Sequence, residues 1–210
     1  MNPLMSFSWN EYFDAVKKED HDNSFAERCH LLEVVRSGFA QNISFASIEP
    51  VGLRKTIAGL PNDHVPNNIW WWFGSMRGAG KFHHAVNEND PYLSSALGII
   101  PNAGEVSYSQ YTNYLSEVAG AFPKGGLGVA VASRLLAMKR PDQFVCRNSR
   151  NQSKLFKGFG IRGDDYEPYW EFTMRIMDSL WWKSDAPTDR VERSVWDARA
   201  AMLDAICYQE

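Results

Sequence analysis

A glycine-rich break between two helical stripes constrains this chain more than any other feature. Tyr111, Tyr114, Leu115, Val118 and Phe122 recur at the spacing that puts side chains on one face of a helix. Pro123-Lys124-Gly125-Gly126-Leu127-Gly128 interrupts that period, and Val131, Leu135 and Met138 resume it until Pro141, which cannot continue a helix. The pattern demands two helices joined by a short turn. The same period appears at Phe25, Cys29, Leu32, Val35 and Phe39, then at Tyr169, Phe172 or Thr173, Ile176 and Leu180, and last at Val191, Val195, Ala198, Met202 and Ala205. Asp189 and Glu192 form a D-x-x-E start signal for that last helix. Ser44 to Leu60 carries mixed helix signals, Pro61 to Asn68 reads as a break, and Pro101 to Val106 reads as a turn. No convincing run of alternating residues occurs, so the expected fold class is mainly α.

With 210 residues, 44% of them hydrophobic and 13% aromatic, the chain can fill one full-sized core or two small lobes around a cleft. Its longest apolar runs, Val129 to Ala132 and Leu135 to Met138, fall far short of the roughly 20 residues that cross a membrane, so no membrane partner is expected. Met1 to Asp22 carries several acids and no basic start before an apolar stretch, unlike a signal peptide. Cys29, Cys146 and Cys207 are odd in number and scattered, without a C-x-x-C pair. They offer no ligand set for zinc or an iron–sulfur cluster, and a reducing, cytoplasmic compartment is the expectation. The adjacent pair His83-His84 has no acid spaced to complete a metal site. GSMRGAGK at Gly74 to Lys81 misses the phosphate loop of nucleotide triphosphatases: five residues, not four, separate Gly74 from Gly80, and Phe82 stands where a hydroxyl would hold magnesium. No metal and no cofactor are therefore expected, and neither common nuclease pattern is present.

The charge is uneven. From Lys124 to Arg162, nine basic residues face one acid, Asp142; that segment stands at +8, and the remainder of a chain whose total is −3 stands at −11. Such asymmetry predicts an anion-binding face, against the plainer alternative of a solvated basic helix surface. The glycine turn gives the run a candidate role. A helix N-terminus offers unsatisfied N–H donors and a favourable dipole to a phosphate, Gly126 and Gly128 let backbone approach it without a Cβ, and Lys124 adds charge. An ordinary helical hairpin with a glycine cap explains the same residues.

Gly126-Leu127-Gly128-Val129-Ala130-Val131-Ala132-Ser133, followed by Phe144-Val145-Cys146-Arg147-Asn148-Ser149, resembles the helix–hairpin–helix DNA glycosylase superfamily, in which a G-x-G hairpin and a short helix precede an F-P-x-x-D segment with the catalytic aspartate. Gly38-Phe39-Ala40-Gln41-Asn42-Ile43 is similar to the family's early L-S-x-Q segment, whose glutamine fills the gap left by an extruded base. The resemblance implies two helical lobes around a cleft with a helix–hairpin–helix motif. It forms one unit over 1–210: an N-terminal lobe with the pocket over about 25–122, the hairpin and active-site loop over 108–162, and C-terminal helices over 163–210. It also implies double-stranded DNA as partner, held by Gln41, Asn42, Lys124, Gly126, Gly128, Lys139, Arg147, Ser149 and Arg150.

Two positions depart from the family. Ala130 stands where imine-forming members carry lysine, so the implied enzyme is monofunctional and leaves an abasic site. Asn148 stands at the aspartate position. An amide can orient water but cannot stabilise positive charge developing on the sugar, and losing such a partner commonly costs about 3 kcal/mol or more. Asp164, Asp165 and Asp178 are substitutes by sequence proximity only, and Asn148 also reads as a helix N-cap. Base excision needs a pocket for the flipped nucleotide. Three consecutive tryptophans cannot all face one side of a helix, so at least one of Trp70, Trp71 and Trp72 is expected to face a cleft, with Arg77 nearby as a polar contact. The stretch from Arg134 to Ile161 is similar to proteins of bacterial defence neighbourhoods, which implies modified phage DNA, such as glucosylated hydroxymethylcytosine, as target. The alternatives are an inactive DNA-binding module and a helical interaction subunit of a defence system.

Overall fold

Helix starts and stops follow local chemistry. In a computed structural model that describes residues 3–18, 24–40, 44–161 and 166–208, helices joined by turns make up the chain, with no strand among the described residues. The helices are α1 (Pro3–Ser6), α2 (Trp9–Lys18), α3 (Ser24–Phe39), α4 (Val51–Ala58), α5 (Gly80–Asn87), α6 (Pro91–Ile99), α7 (Tyr108–Gly120), α8 (Val129–Lys139), α9 (Gln152–Phe159), α10 (Tyr166–Met177), α11 (Arg190–Trp196) and α12 (Leu203–Cys207), with 3-10 turns at Phe45–Ser47 and Pro66–Trp71. The mainly α expectation holds.

A full capping box opens α7: Ser107 Oγ accepts the Gln110 N–H and Gln110 Oε1 accepts the Ser107 N–H. The D-x-x-E signal opens α11 in half: Asp189 accepts the Val191 and Glu192 N–H groups, while Glu192 turns away to accept the Trp9 indole N–H at 2.9 Å. The last apolar stripe does not make one helix. Between α11 and α12 the N–H groups of Ala198 and Arg199 close short turns onto Val195 and Trp196, and the Ala201 N–H goes instead to the Pro141 carbonyl. A tertiary contact thus breaks a period that is continuous in sequence.

The two helices flanking the glycine break form as expected, with different burial. α7 is one-sided, burying Tyr111, Tyr114 and Val118. Every residue of α8 from Val131 to Met138 is buried, so α8 is a central helix rather than an amphipathic one. Tyr114 crosses between them, its hydroxyl donating to the Ala132 carbonyl at 2.8 Å. α3 is rotated from its predicted stripe: Phe25, Cys29 and Phe39 are half-buried, while Arg28 and Gly38 face inward. A Cβ at Gly38 would stand 3.3 Å from both Leu53 and Ile57, so the glycine allows α3 to pack closely on α4.

The first helices belong to the C-terminal end of the chain. Tyr12 is fully buried and stacks on Trp181 with centroids 4.1 Å apart, and its hydroxyl donates to the Arg199 carbonyl. The Trp181 indole donates to the Leu4 carbonyl, and α12 packs on α2 and α9.

Candidate functional site

Segments on both sides of α8 bring the glycine loop and Asn148 to its N-terminal end. After α8 stops at Pro141, the chain turns and runs back along it. The Phe144 N–H donates to the Arg140 carbonyl, the Arg147 N–H donates to Ser133 Oγ at 2.9 Å, and the Cys146 thiol lies 3.8 Å from the Ala130 carbonyl. This return carries Asn148 from the C-terminal end of the helix to the turns that follow Gly128.

The glycine loop has a defined polarity. Gly125 and Gly126 sit in the left-handed region at φ 69° and 103°, where glycine is favoured. Gly128 is the N-cap of α8 at φ −105°, a conformation open to any residue, and it brings no side chain to the first-turn N–H groups. The loop carbonyls are held by hydrogen bonds. Gly125 N–H donates to Phe122, Lys81 Nζ donates to Gly125 at 2.6 Å and Lys124 at 3.4 Å, and the Tyr166 hydroxyl donates to Leu127 at 3.0 Å. The exposed Lys124 and Lys81 flank an uncapped helix start.

Asn148 makes the turn into α9. Its Oδ1 accepts the Arg150 N–H at 2.8 Å, and its N–H donates to Asn151 Oδ1 at 2.9 Å. Its Nδ2 is buried and meets no acceptor in the protein. The helix N-cap reading of Asn148 is therefore not realised: Asn151 is the N-cap of α9, and the Asn148 oxygen closes a turn that precedes the helix. Behind it lies a polar group that sequence reasoning missed. Asn151 is fully buried and donates to the Cys146 carbonyl and to Asp204 Oδ1, each at 2.8 Å. Asp204 is also fully buried and pairs with Arg28 at 3.5 Å, whose guanidinium lies 4.0 Å from the Trp72 ring centroid. The one available signal was an acid inside an otherwise apolar run, Ala200 to Ala205.

The basic run needs correction as an anion-binding face. Arg134 is fully buried. Its guanidinium donates to the carbonyls of Ile57 and Thr56 at 2.9 Å, Gly74 at 3.3 Å and Trp70 at 3.4 Å, and also to Trp72. Burial lowers its pKa to about 10, so it stays cationic at neutral pH. Arg140 is buried against Asp142 and the carbonyls of Pro101 and Gly104. Arg147, a predicted DNA contact, is buried over the Phe156 ring and donates to Gln152. Lys139, another, is half-buried over Phe39 at the opposite end of α8 from the loop. Long-range carbonyls and rings recruited these cations inward. Lys124, Ser149 and Arg150 remain exposed, as do Lys154 and Lys157. Gln41 and Asn42 lie outside the described residues, as do Asp164 and Asp165. Asp178 is exposed and paired with Lys183 at 2.9 Å.

The tryptophans divide as their adjacency requires. Trp70 is 3% exposed and belongs to the core, Trp71 is 46% exposed, and Trp72 is half-buried with its indole donating to Glu27 at 2.7 Å. Phe73 follows at φ 61°, fully buried, a backbone conformation that bulky residues rarely adopt. Arg134 holds the carbonyls on both sides of it, those of Trp72 and Gly74. Gly74 comes so close to the Asn148 segment that a Cβ would meet Cys146 Sγ at 2.5 Å and Asn148 Nδ2 at 3.1 Å. The tryptophan segment therefore supports the Asn148 turn from behind. Arg77, on the following turn, is exposed. Among the described residues no group of histidine, cysteine and acid side chains could hold a metal ion. No family model, curated protein or solved structure matches the chain.

Proposed function

We propose that this chain is a DNA-binding protein of glycosylase type, taking one backbone phosphate at the N-terminus of α8 and presenting the Asn148 turn to an extruded nucleotide. The observation that carries the reading is the juxtaposition of two features at one end of α8. One is an uncapped helix start flanked by Lys81 and Lys124; the other is the Asn148 turn, returned to that end by the Arg147–Ser133 bond. Anions favour such a helix start because no side chain caps its first N–H groups and the dipole is favourable.

Double-stranded DNA is the partner in this reading, with a modified phage base as target and cytoplasmic defence as setting. Ala130 offers no amine for an imine, so the product is an abasic site. The chemistry is limited by Asn148. Restoring the acid in Asn148→Asp keeps the oxygen that accepts the Arg150 N–H and adds the missing negative charge; base release should rise by about 100-fold or more. The assay is liberation of free base from modified phage DNA, with duplex binding measured in parallel against salt. Binding should weaken steeply as salt rises, because phosphate contacts release counterions. Absence of duplex binding, or binding indifferent to salt, overturns the reading.

One observation favours a non-catalytic variant of the same function. Asp204, the buried acid behind the turn, is already engaged by Arg28 and Asn151 and is not offered to a substrate. That variant predicts duplex or abasic-site affinity with no base release by either form of the protein.

A further inference from the structure

The far end of α8 carries a cleft of about 550 Å3, a volume typical of small-molecule sites. α8 has 11 residues, so its two ends lie about 16 Å apart at ~1.5 Å per residue. The cleft is therefore separate from the Asn148 turn. Leu32, Phe39, Met138 and Trp196 supply apolar wall. The charged lining is Arg36, Lys139, Arg140 and Arg199 against Asp142 and Asp197, two more cations than acids.

Three of those cations are already engaged. Arg140 forms a two-pronged pair with Asp142, Arg199 donates to the carbonyls of Trp182 and Trp196, and Arg36 reaches Asp197 at 3.9 Å. Lys139 differs. Its Nζ lies 4.8 Å from the Phe39 ring centroid, and no carboxylate among the described residues pairs with it. Burial, with Arg140 adding like charge, holds its ammonium below the usual lysine range. A smaller cleft of about 260 Å3 shares Lys139, Phe39 and Asn102 with the first. This half-buried ammonium, shared by two adjoining clefts in a lining with surplus positive charge, has no carboxylate partner among the described residues.

We propose that this cleft binds a phosphate monoester of nucleotide size, with the dianion on Lys139 and the organic body against the apolar wall. The dianion matches the surplus of two cations, and the four apolar side chains match a body larger than phosphate alone. The test is calorimetric titration of the full chain with adenosine 5′-monophosphate, adenosine and inorganic phosphate. The monophosphate should bind, and each of the other two should bind at least about tenfold more weakly. Lys139→Met, which keeps the apolar stem, should weaken the monophosphate at least about tenfold, Lys139→Arg should largely retain it, and Lys183→Met on an unrelated exposed pair should not change it. In the unaltered chain, the monophosphate should protect Lys139 from amine acylation read by mass spectrometry, so the result does not depend on a variant folding. No binding at millimolar monophosphate, equal affinity for adenosine, or an unprotected Lys139 overturns the assignment. No DNA is present in these measurements, so their outcome and that of the base-release assay are independent.

Discussion

Arg134 is the residue on which the site depends most. One guanidinium gathers the carbonyls of Thr56, Ile57, Trp70, Trp72 and Gly74, joining the end of α4 to the turn that carries Phe73 in its left-handed conformation. Methionine at this position would fill similar space and leave those carbonyls buried without donors. Each orphaned group costs about 1–3 kcal/mol, so Arg134→Met should lose roughly 3 kcal/mol or more of stability, measured by urea unfolding. A loss below about 1 kcal/mol would show that water takes over these bonds. Cysteine chemistry offers a second check at this scale. Burial raises the Cys146 thiol to about 12, so at neutral pH it stays protonated and unreactive. Alkylation of the native protein should therefore modify the half-buried Cys29 ahead of Cys146, and Cys146 should react only as the protein unfolds. Rapid labelling of Cys146 under native conditions contradicts the packing around Gly74.

Among elements, the tryptophan turn and the return segment after α8 meet closely. Gly74 combines φ 97° with a Cβ position 2.5 Å from Cys146 Sγ. Gly74→Ala suffers both backbone strain and a clash with a fully buried side chain, and should cost about 1–3 kcal/mol. The same substitution at Gly128, which has open space and an ordinary φ, should cost little stability; chemical denaturation of the pair tests this. If Gly128→Ala preserves the fold yet weakens duplex binding, the loop's function is close backbone approach rather than conformation. Loss of neither would return the loop to a plain helical hairpin.

On the scale of the whole molecule, the two chain ends share one core. Tyr12 and Val16 are buried, and Tyr12 covers Trp181, itself fully buried in the C-terminal half. A chain starting at Ser24 would lose the burial of Tyr12 and Val16 and uncover Trp181, each side chain worth about 1.5–3 kcal/mol in burial. The combined loss approaches the ~5–15 kcal/mol by which whole domains are stable, so the shortened chain should unfold without a cooperative transition. An unchanged denaturation midpoint would mean that α1 and α2 are dispensable.

What the sequence by itself determined was local. Helix positions were legible because side chains three and four residues apart meet on one face whatever the rest of the chain does. The capping residue Asp189 and the stop at Pro141 act through neighbours in sequence. The glycine loop was legible for the same reason, whereas Asn148 was singled out only through the resemblance. Burial of charge was not. Arg28, Arg134, Arg140 and Arg147 look alike in sequence to the exposed Lys124 and Arg150. Their fate was decided by carbonyls, rings and one acid that arrive from distant segments: residues 56–74, 101–104, Phe156 and Asp204. The glycine turn that most constrained the reading of the chain thus kept its place at the head of α8. The tertiary structure moved much of the positive charge read beside it into the interior, because a cation can be buried only where the fold brings enough acceptors or a counter-charge to meet it.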